Sequence, residues 1–440
     1  MRALPLFLLA SPFAAVAQTG APAPLSFTDA VRLARERNGT ILRASAEIRA
    51  ARARVSQQQS FFLPTVTPRY AYVDNRQTFA GTQSTNGNRL DFVTQGAQVN
   101  FAYTLFDTGQ RLTNVRNARA ALGATEANAL VTVRNSLFSV EQAYVETLRA
   151  QELLRVAQST FDRTRLILEQ TEARVRVGDA AARETLQARA DLLNAEVSVI
   201  EAQNAVTANG ATLRALIGLA EEEAVPTLEA GTVPEPDAGG LTLAEAIREG
   251  LAQRPDLAAR RFGTEQGRQA ARLARINAGF QLSLDANYVL SLTDDARNSQ
   301  ASFVLSYPLF DGGLRRAQAR EAQANVDATV ADLTQAERDA RAEIETAYVA
   351  LERNVRRVAA ARSAEEAARI NYAAAVESQR LGAAARPDVF NAQVSLVTSE
   401  TNLIQARYDA LIATLRFRLA TGRNLPGELG TDPAAPAPPR

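Results

Sequence analysis

Two aspartates occupy near-identical settings, Asp107 in Leu105-Phe106-Asp107-Thr108-Gly109 and Asp311 in Leu309-Phe310-Asp311-Gly312-Gly313. The chemistry open to them is capping rather than catalysis. Each closes an alternating, strand-like segment and opens more than sixty residues of helical pattern. A carboxylate there can accept the orphan N–H groups of a first helical turn, so both are natural N-caps. The glycines that follow, Gly109, Gly312 and Gly313, allow a sharp turn. Composition closes most other chemistry. With no His and no Cys, zinc sites, thiol nucleophiles, imidazole bases and haem ligation by those residues are excluded. So are disulfides and a lipid-modified N-terminal Cys. Nothing in the spacing places two acids in one pocket, as a glycosidase needs. No enzymatic activity and no cofactor are expected.

The elements that carry these junctions come after an export signal. Residues 1–17 have a minimal positive start at Arg2, a mostly apolar run over 3–16, and the small-x-small pattern Ala15-Val16-Ala17. No later run of ~18 apolar residues follows, so no transmembrane helix is expected. The 49 basic and 48 acidic residues nearly cancel, and every basic residue is Arg. That balance gives no reason to expect nucleic acid as a partner.

The rest of the 440 residues is one design used twice. Thr242 follows Ser26 by 216 positions (242 − 26), and Tyr288 follows Tyr72 by the same step. Beyond the strands the step is 204 (311 − 107), kept by Tyr144 and Tyr348 and by Gly178 and Gly382. Several landmarks at one offset mark a duplication, with 12 extra residues (216 − 204) in the first copy. The repeats span 25–220 and 241–424, joined by a Pro-, Gly- and acid-rich linker at 221–240. The Pro- and Ala-rich tail, 425–440, is expected to be disordered.

Each repeat opens with a capped helix, at Ser26-Phe27-Thr28-Asp29 or Thr242-Leu243-Ala244-Glu245. A strand pair follows, within 64–105 or 280–309, separated by polar loops at 75–91 and 293–299. Val99, Phe101, Tyr103 and Leu105 alternate with Asn100, Ala102 and Thr104. Such period two with one apolar face fits antiparallel strands. Long helices are expected over 109–177 and 313–381, with Leu130, Val133, Leu137, Val140, Tyr144 and Leu148 in coiled-coil-like spacing. Each would be about 100 Å long. Gly178 and Gly382 are placed to stop them, and return helices follow at 181–217 and 386–420.

Strands of about ten residues match a tilted bilayer crossing. They also fit a soluble sheet. The export signal, with no anchoring helix after it, favours the outer membrane. Spanning strands must close into a barrel, and four are too few, so several chains must contribute.

Together these motifs resemble the outer-membrane factor family, the TolC-like exit ducts of Gram-negative bacteria. The likeness covers roughly 25–425 and is most specific at Tyr307-Pro308-Leu309-Phe310-Asp311-Gly312-Gly313. The first copy departs from that turn at Thr104 and Thr108. The resemblance implies a mixed, mainly α fold: a homotrimer with a 12-stranded barrel in the outer membrane and a hollow α-helical barrel through the periplasm. It implies a passive conduit of a tripartite efflux or type I secretion system, partnered by a periplasmic adaptor (membrane fusion) protein and an inner-membrane transporter. Adaptor docking falls on the two hairpin tips, at Arg174, Val177, Gly178 and Ala181 and at Arg380, Leu381, Gly382 and Ala385. Ala181 and Ala385 replace the family's usual Ser. The periplasmic gate falls on Asp388 and Glu184, with Asn391 where a further acid is usual. Gln379 and Ala384 stand where the best-known member has a Tyr and Arg latch, leaving Arg380 and Arg386 as substitutes. Both gate acids also suit a helix's first turn, where the dipole favours negative charge.

Overall fold

The computed structural model describes residues 24–78, 89–178, 180–220, 228–229, 240–277, 279–381, 383 and 386–425. The export signal lies outside them. In chain order the elements are α1 (Phe27–Arg37), α2 (Gly39–Ser60), β1 (Thr65–Thr78), β2 (Arg89–Phe106), α3 (Gln110–Arg176), α4 (Ala182–Ile217), α5 (Leu243–Gln253), α6 (Pro255–Ile276), β3 (Gln281–Ser291), β4 (Arg297–Ser306), α7 (Leu314–Arg380) and α8 (Arg386–Ala420). Each repeat opens with two helices, not the single one expected. Asn38 breaks the first: its side chain accepts the N–H groups of Thr40 and Ile41 and donates to the Leu216 carbonyl at 2.7 Å. Pro255 at the first position of α6 breaks the second, since proline suits a helix start but not its interior.

α3 and α7 have 67 residues each, about 100 Å of rod at ~1.5 Å per residue. α4 and α8 return along them, while α6 packs on both α3 and α7 and α8 reaches α3. The two repeats therefore interlock. Gly123 serves this packing: a Cβ there would meet the Phe262 ring of α6 at 2.7 Å. The main core lies midway along α3, where Phe27, Leu137, Tyr144, Leu213 and Ile217 are buried together. A smaller one around Ile344, Leu351 and Phe417 sits midway along α7. Leu425, expected in a disordered tail, is buried in the main core. Within the linker, Leu228 and Glu229 are described and held: Leu228 bridges Leu25, and the Tyr144 hydroxyl reaches the Leu25 and Glu229 carbonyls at 2.8 and 3.1 Å.

The four strands form one antiparallel sheet in the order β1-β2-β3-β4. Register sorts its faces. One carries Val66, Tyr70, Tyr72, Val99, Phe101 and Tyr103 opposite Leu284, Tyr288, Leu290, Phe303 and Leu305. The other carries Thr65, Thr67, Gln98, Asn100, Ser283, Asn287, Gln300 and Ser302. A bulge between Thr104 and Phe106 sets Phe106 opposite Leu282, so Leu105 drops out of the alternation and Phe106 takes its place. β1 and β2 run 14 and 18 residues against 11 and 10 for β3 and β4, so the first copy's extra residues lengthen strands as well as the connection. β4 ends at Ser306, before the 309 expected, because Pro308 has no N–H for the ladder. Thr104 stands at the matching place in β2, which continues to Phe106.

Candidate functional site

The functional residues gather at the two ends of the long helices. At the sheet end, the N-caps are Gly109 and Gly313, with φ of 87° and 89°, not the expected aspartates. Glycine fits there because L side chains avoid positive φ. Asp107 still supplies the acceptors from two residues back, taking the N–H groups of Gly109 and Arg111 at 3.1 and 2.9 Å. It also pairs with the Arg111 side chain at 2.7 Å. Asp311 repeats this with Gly313 and Arg315 at 2.9 and 3.2 Å. Burial raises the Asp107 carboxyl's pKa, but the Arg111 and Gly109 hydrogen bonds and the Arg111 charge outweigh it, and the net direction is down. Asp311 is lowered chiefly by the Gly313 N–H. The Arg four residues after each Asp was a readable signal that motif reasoning passed over.

Thr108 and Gly312 both adopt positive φ, 53° and 64°. For a β-branched residue this is a strained conformation. Thr108 uses it to donate its hydroxyl to the Phe280 carbonyl at 2.8 Å, tying the first junction to the second strand pair. Gly279 makes the room, since a Cβ there would lie 2.3 Å from the Thr108 hydroxyl oxygen. Beyond Pro308 the second junction projects: Phe310 is 90% exposed against 53% for Phe106. Tyr307 stacks on Phe280 at 4.4 Å.

At the other end are the hairpin tips. Val177 and Gly178 end the first rod, Gly178 with φ of 78°, and Ala181 precedes α4. Glu184, in the first turn of α4, accepts the Ala181 N–H at 3.4 Å. Ala181 has no side-chain acceptor, so only this half of a capping box forms. Asp388 holds the same place in the first turn of α8 and is exposed, as is Asn391 one turn on. Arg174, Val177, Arg380 and Leu381 are also exposed, Val177 at 79% and Leu381 at 68%. Arg380 grips Glu377 of its own helix with two nitrogens, at 2.9 and 2.7 Å. Gly382, Ala384, Ala385 and the Arg386 side chain lie outside the described residues.

Among the described residues, no helix is long and apolar enough to cross a membrane. The sheet has one apolar and one polar face, and its strands are long enough for a tilted bilayer crossing. The profile of a family described as outer membrane efflux protein matches residues 30–219 and 246–423. The chain is 24% identical over 413 residues to outer membrane efflux protein BepC of Brucella suis, covering 92% of this chain and 87% of BepC. It is 26% identical over 407 residues to outer membrane protein TolC of Vibrio cholerae, covering 88% and 89%. Its fold matches a solved CusC structure, described in terms of folding and transmembrane channel formation, with a TM-score of 0.77 at 16% identity, covering 90% and 92%. The chain belongs to the outer membrane efflux protein family. Its place is the outer membrane, and it acts there as an export channel component.

Proposed function

We propose that three copies of this chain close into one conduit: a 12-stranded barrel in the outer membrane continued by a periplasmic barrel of helices. The observation that carries this is the sheet, whose edge strands β1 and β4 have no further partner among the described residues. In lipid such edges must pair, and the β4 edge of one copy is free to meet the β1 edge of the next. The helices ask for neighbours too. Leu186, Leu193, Val197 and Ile200 form an exposed stripe on α4 at coiled-coil spacing. Val349 and Ile370 are exposed on α7.

The conduit does no chemistry. Within each chain the two repeats, 25–220 and 241–424, supply matching staves. The tips, built on Arg174, Val177, Gly178, Ala181, Arg380, Leu381, Gly382 and Ala385, dock a periplasmic adaptor that leads to an inner-membrane transporter. The junction residues Asp107, Gly109, Pro308, Asp311, Gly312 and Gly313 set the angle between sheet and rods. Three Asp388 carboxylates, with Glu184 beside them and Asn391 one turn further, form the periplasmic mouth. A ring of carboxylates in a narrow opening concentrates cations. Arg380, paired with Glu377 of its own helix, and Arg386 are the cations placed to latch the mouth in place of the family's Tyr and Arg.

The test is conductance in planar bilayers. The purified protein should form channels that prefer cations, and Asp388→Asn should weaken that preference without loss of insertion. Unchanged selectivity removes Asp388 from the mouth. Recovery of the wild-type protein in buffer washes without detergent contradicts the whole reading.

A further inference from the structure

The polar face of the sheet carries charge at two levels only. Register sets Arg69 opposite Gln98 and Asp285 between Ala102 and Ser302, all on that face. Among the residues whose side chains are described, the other charged strand residues, Asp74, Arg76 and Arg297, fall in the rows of the apolar face, towards the end far from the rods. The surroundings of both charges are neutral. Asp285 takes a hydrogen bond from the Ser283 hydroxyl at 3.0 Å. Arg69 has Thr67 and Ala71 before and after it on its face. Both are exposed in the single chain.

The two levels are well separated. Gln98, in the Arg69 row, and Ala102, in the Asp285 row, lie four residues apart on β2. At ~3.3 Å per residue that is about 13 Å along the strand. It exceeds the ~8 Å over which physiological salt screens a charge, so the two do not cancel in solution.

On the reading that three copies close the barrel, we propose that its lumen holds a two-ring charge filter. Three Asp285 carboxylates face the passage near the rods, and three Arg69 guanidinium groups face it further out. These residues determine specificity in the strand region, separately from the periplasmic mouth. A multiply charged solute of either sign meets one repelling ring, whereas a neutral or zwitterionic solute meets none. The filter therefore favours neutral and zwitterionic cargo over polyanions and polycations.

The natural absence of Cys makes the field measurable at single sites. Asn287→Cys puts a thiol on the polar face one step from Asp285, and Ala71→Cys puts one beside Arg69. Each is labelled in lipid nanodiscs with a cationic and an anionic methanethiosulfonate reagent. Adding Asp285→Asn should lower the cation-to-anion rate ratio at the first thiol about threefold. Adding Arg69→Gln should raise the ratio at the second by a similar factor. A thiol from Val99→Cys, on the apolar face, should react with neither reagent. Unchanged ratios overturn the filter, and so does labelling of the Val99→Cys thiol in place of the Asn287→Cys one. The mass of the same particles reports separately on the three-copy reading: single chains in the nanodisc overturn that reading whatever the labelling shows.

Discussion

Midway along α3, Tyr144 is fully buried, packs edge-on against Phe27 at 5.4 Å and ties α3 to both ends of the Leu25–Leu228 bridge region. Midway along α7, its counterpart Tyr348 is only half-buried and meets Phe417 at 5.9 Å. The helix breaks above them differ as well. The first is closed by the neutral Asn38. The second is closed by Arg254, which forks onto Asp256 and reaches Glu343 at 2.6 Å and the Ala420 carbonyl at 3.1 Å. One duplicated design has thus become a half sealed around its tyrosine and a half whose helix break is closed by Arg254. The sealed half carries the hydrophobic burial that fixes the fold. The other leaves apolar positions such as Val349 open, where a second copy can cover them.

The comparison breaks most sharply at the two tyrosines. Tyr144→Ala should cost about 4 kcal/mol, as large aromatic deletions in a core do, and Tyr348→Ala about 2 kcal/mol because its site is half open. Hydrogen exchange of the α1 and α5 amides in detergent reads both locally, and equal losses would contradict a sealed and an open half. Next come the breaks. Arg254 is 12% exposed but its partners are much more so, so Arg254→Ala should cost about 2 kcal/mol rather than the full value for a buried pair. Asn38→Ala should cost about 1.5 kcal/mol through the lost cap and the lost bond to Leu216.

Acid tests the charged break directly. Burial raises the Asp256 pKa, but the Arg254 hydrogen bonds and charge outweigh it, and the carboxyl titrates below its ordinary value. A depressed carboxylate stabilises the fold fully above its unfolded pKa and loses that contribution as pH falls through the folded one. Protection against exchange, corrected for the intrinsic rate at each pH, should therefore fall at the α5–α6 break below about pH 4, and should fall less in Asp256→Asn. An equal acid response in the wild type and in Asp256→Asn would show that this carboxylate does not hold the break. The smallest effect is expected at the junction. Thr108→Val keeps the shape and strain but loses the bond to Phe280, a cost of about 1 kcal/mol, seen as faster exchange in the first residues of β3. The matching Gly312→Ala tests backbone conformation alone, since its φ is 64°.

Local and periodic features were readable in the sequence. The 204 and 216 offsets, the two rods and the alternating strands all follow from patterns that neighbouring residues carry. Asn38-Gly39 and Arg254-Pro255 stand in the sequence too, an amide that can cap and a proline that suits a helix start, but one capped helix per repeat was expected where two form. The contacts that distinguish the copies were not readable. Thr108 reaches Phe280 across 172 positions and Tyr144 reaches Leu25 across 119, and no local period encodes such pairs. The bulge at Leu105 was hidden for a related reason: it exists only relative to β3. The mouth and tip residues were placed by resemblance, because their role depends on partners outside the chain.

The sheet has two free edges, and everything proposed for the conduit rests on their being joined between chains. Native mass spectrometry of the detergent-extracted protein measures this most directly. The expected result is a single species of three chains that stays intact when detergent is exchanged. A monomer, or a complex of any other number, would contradict it.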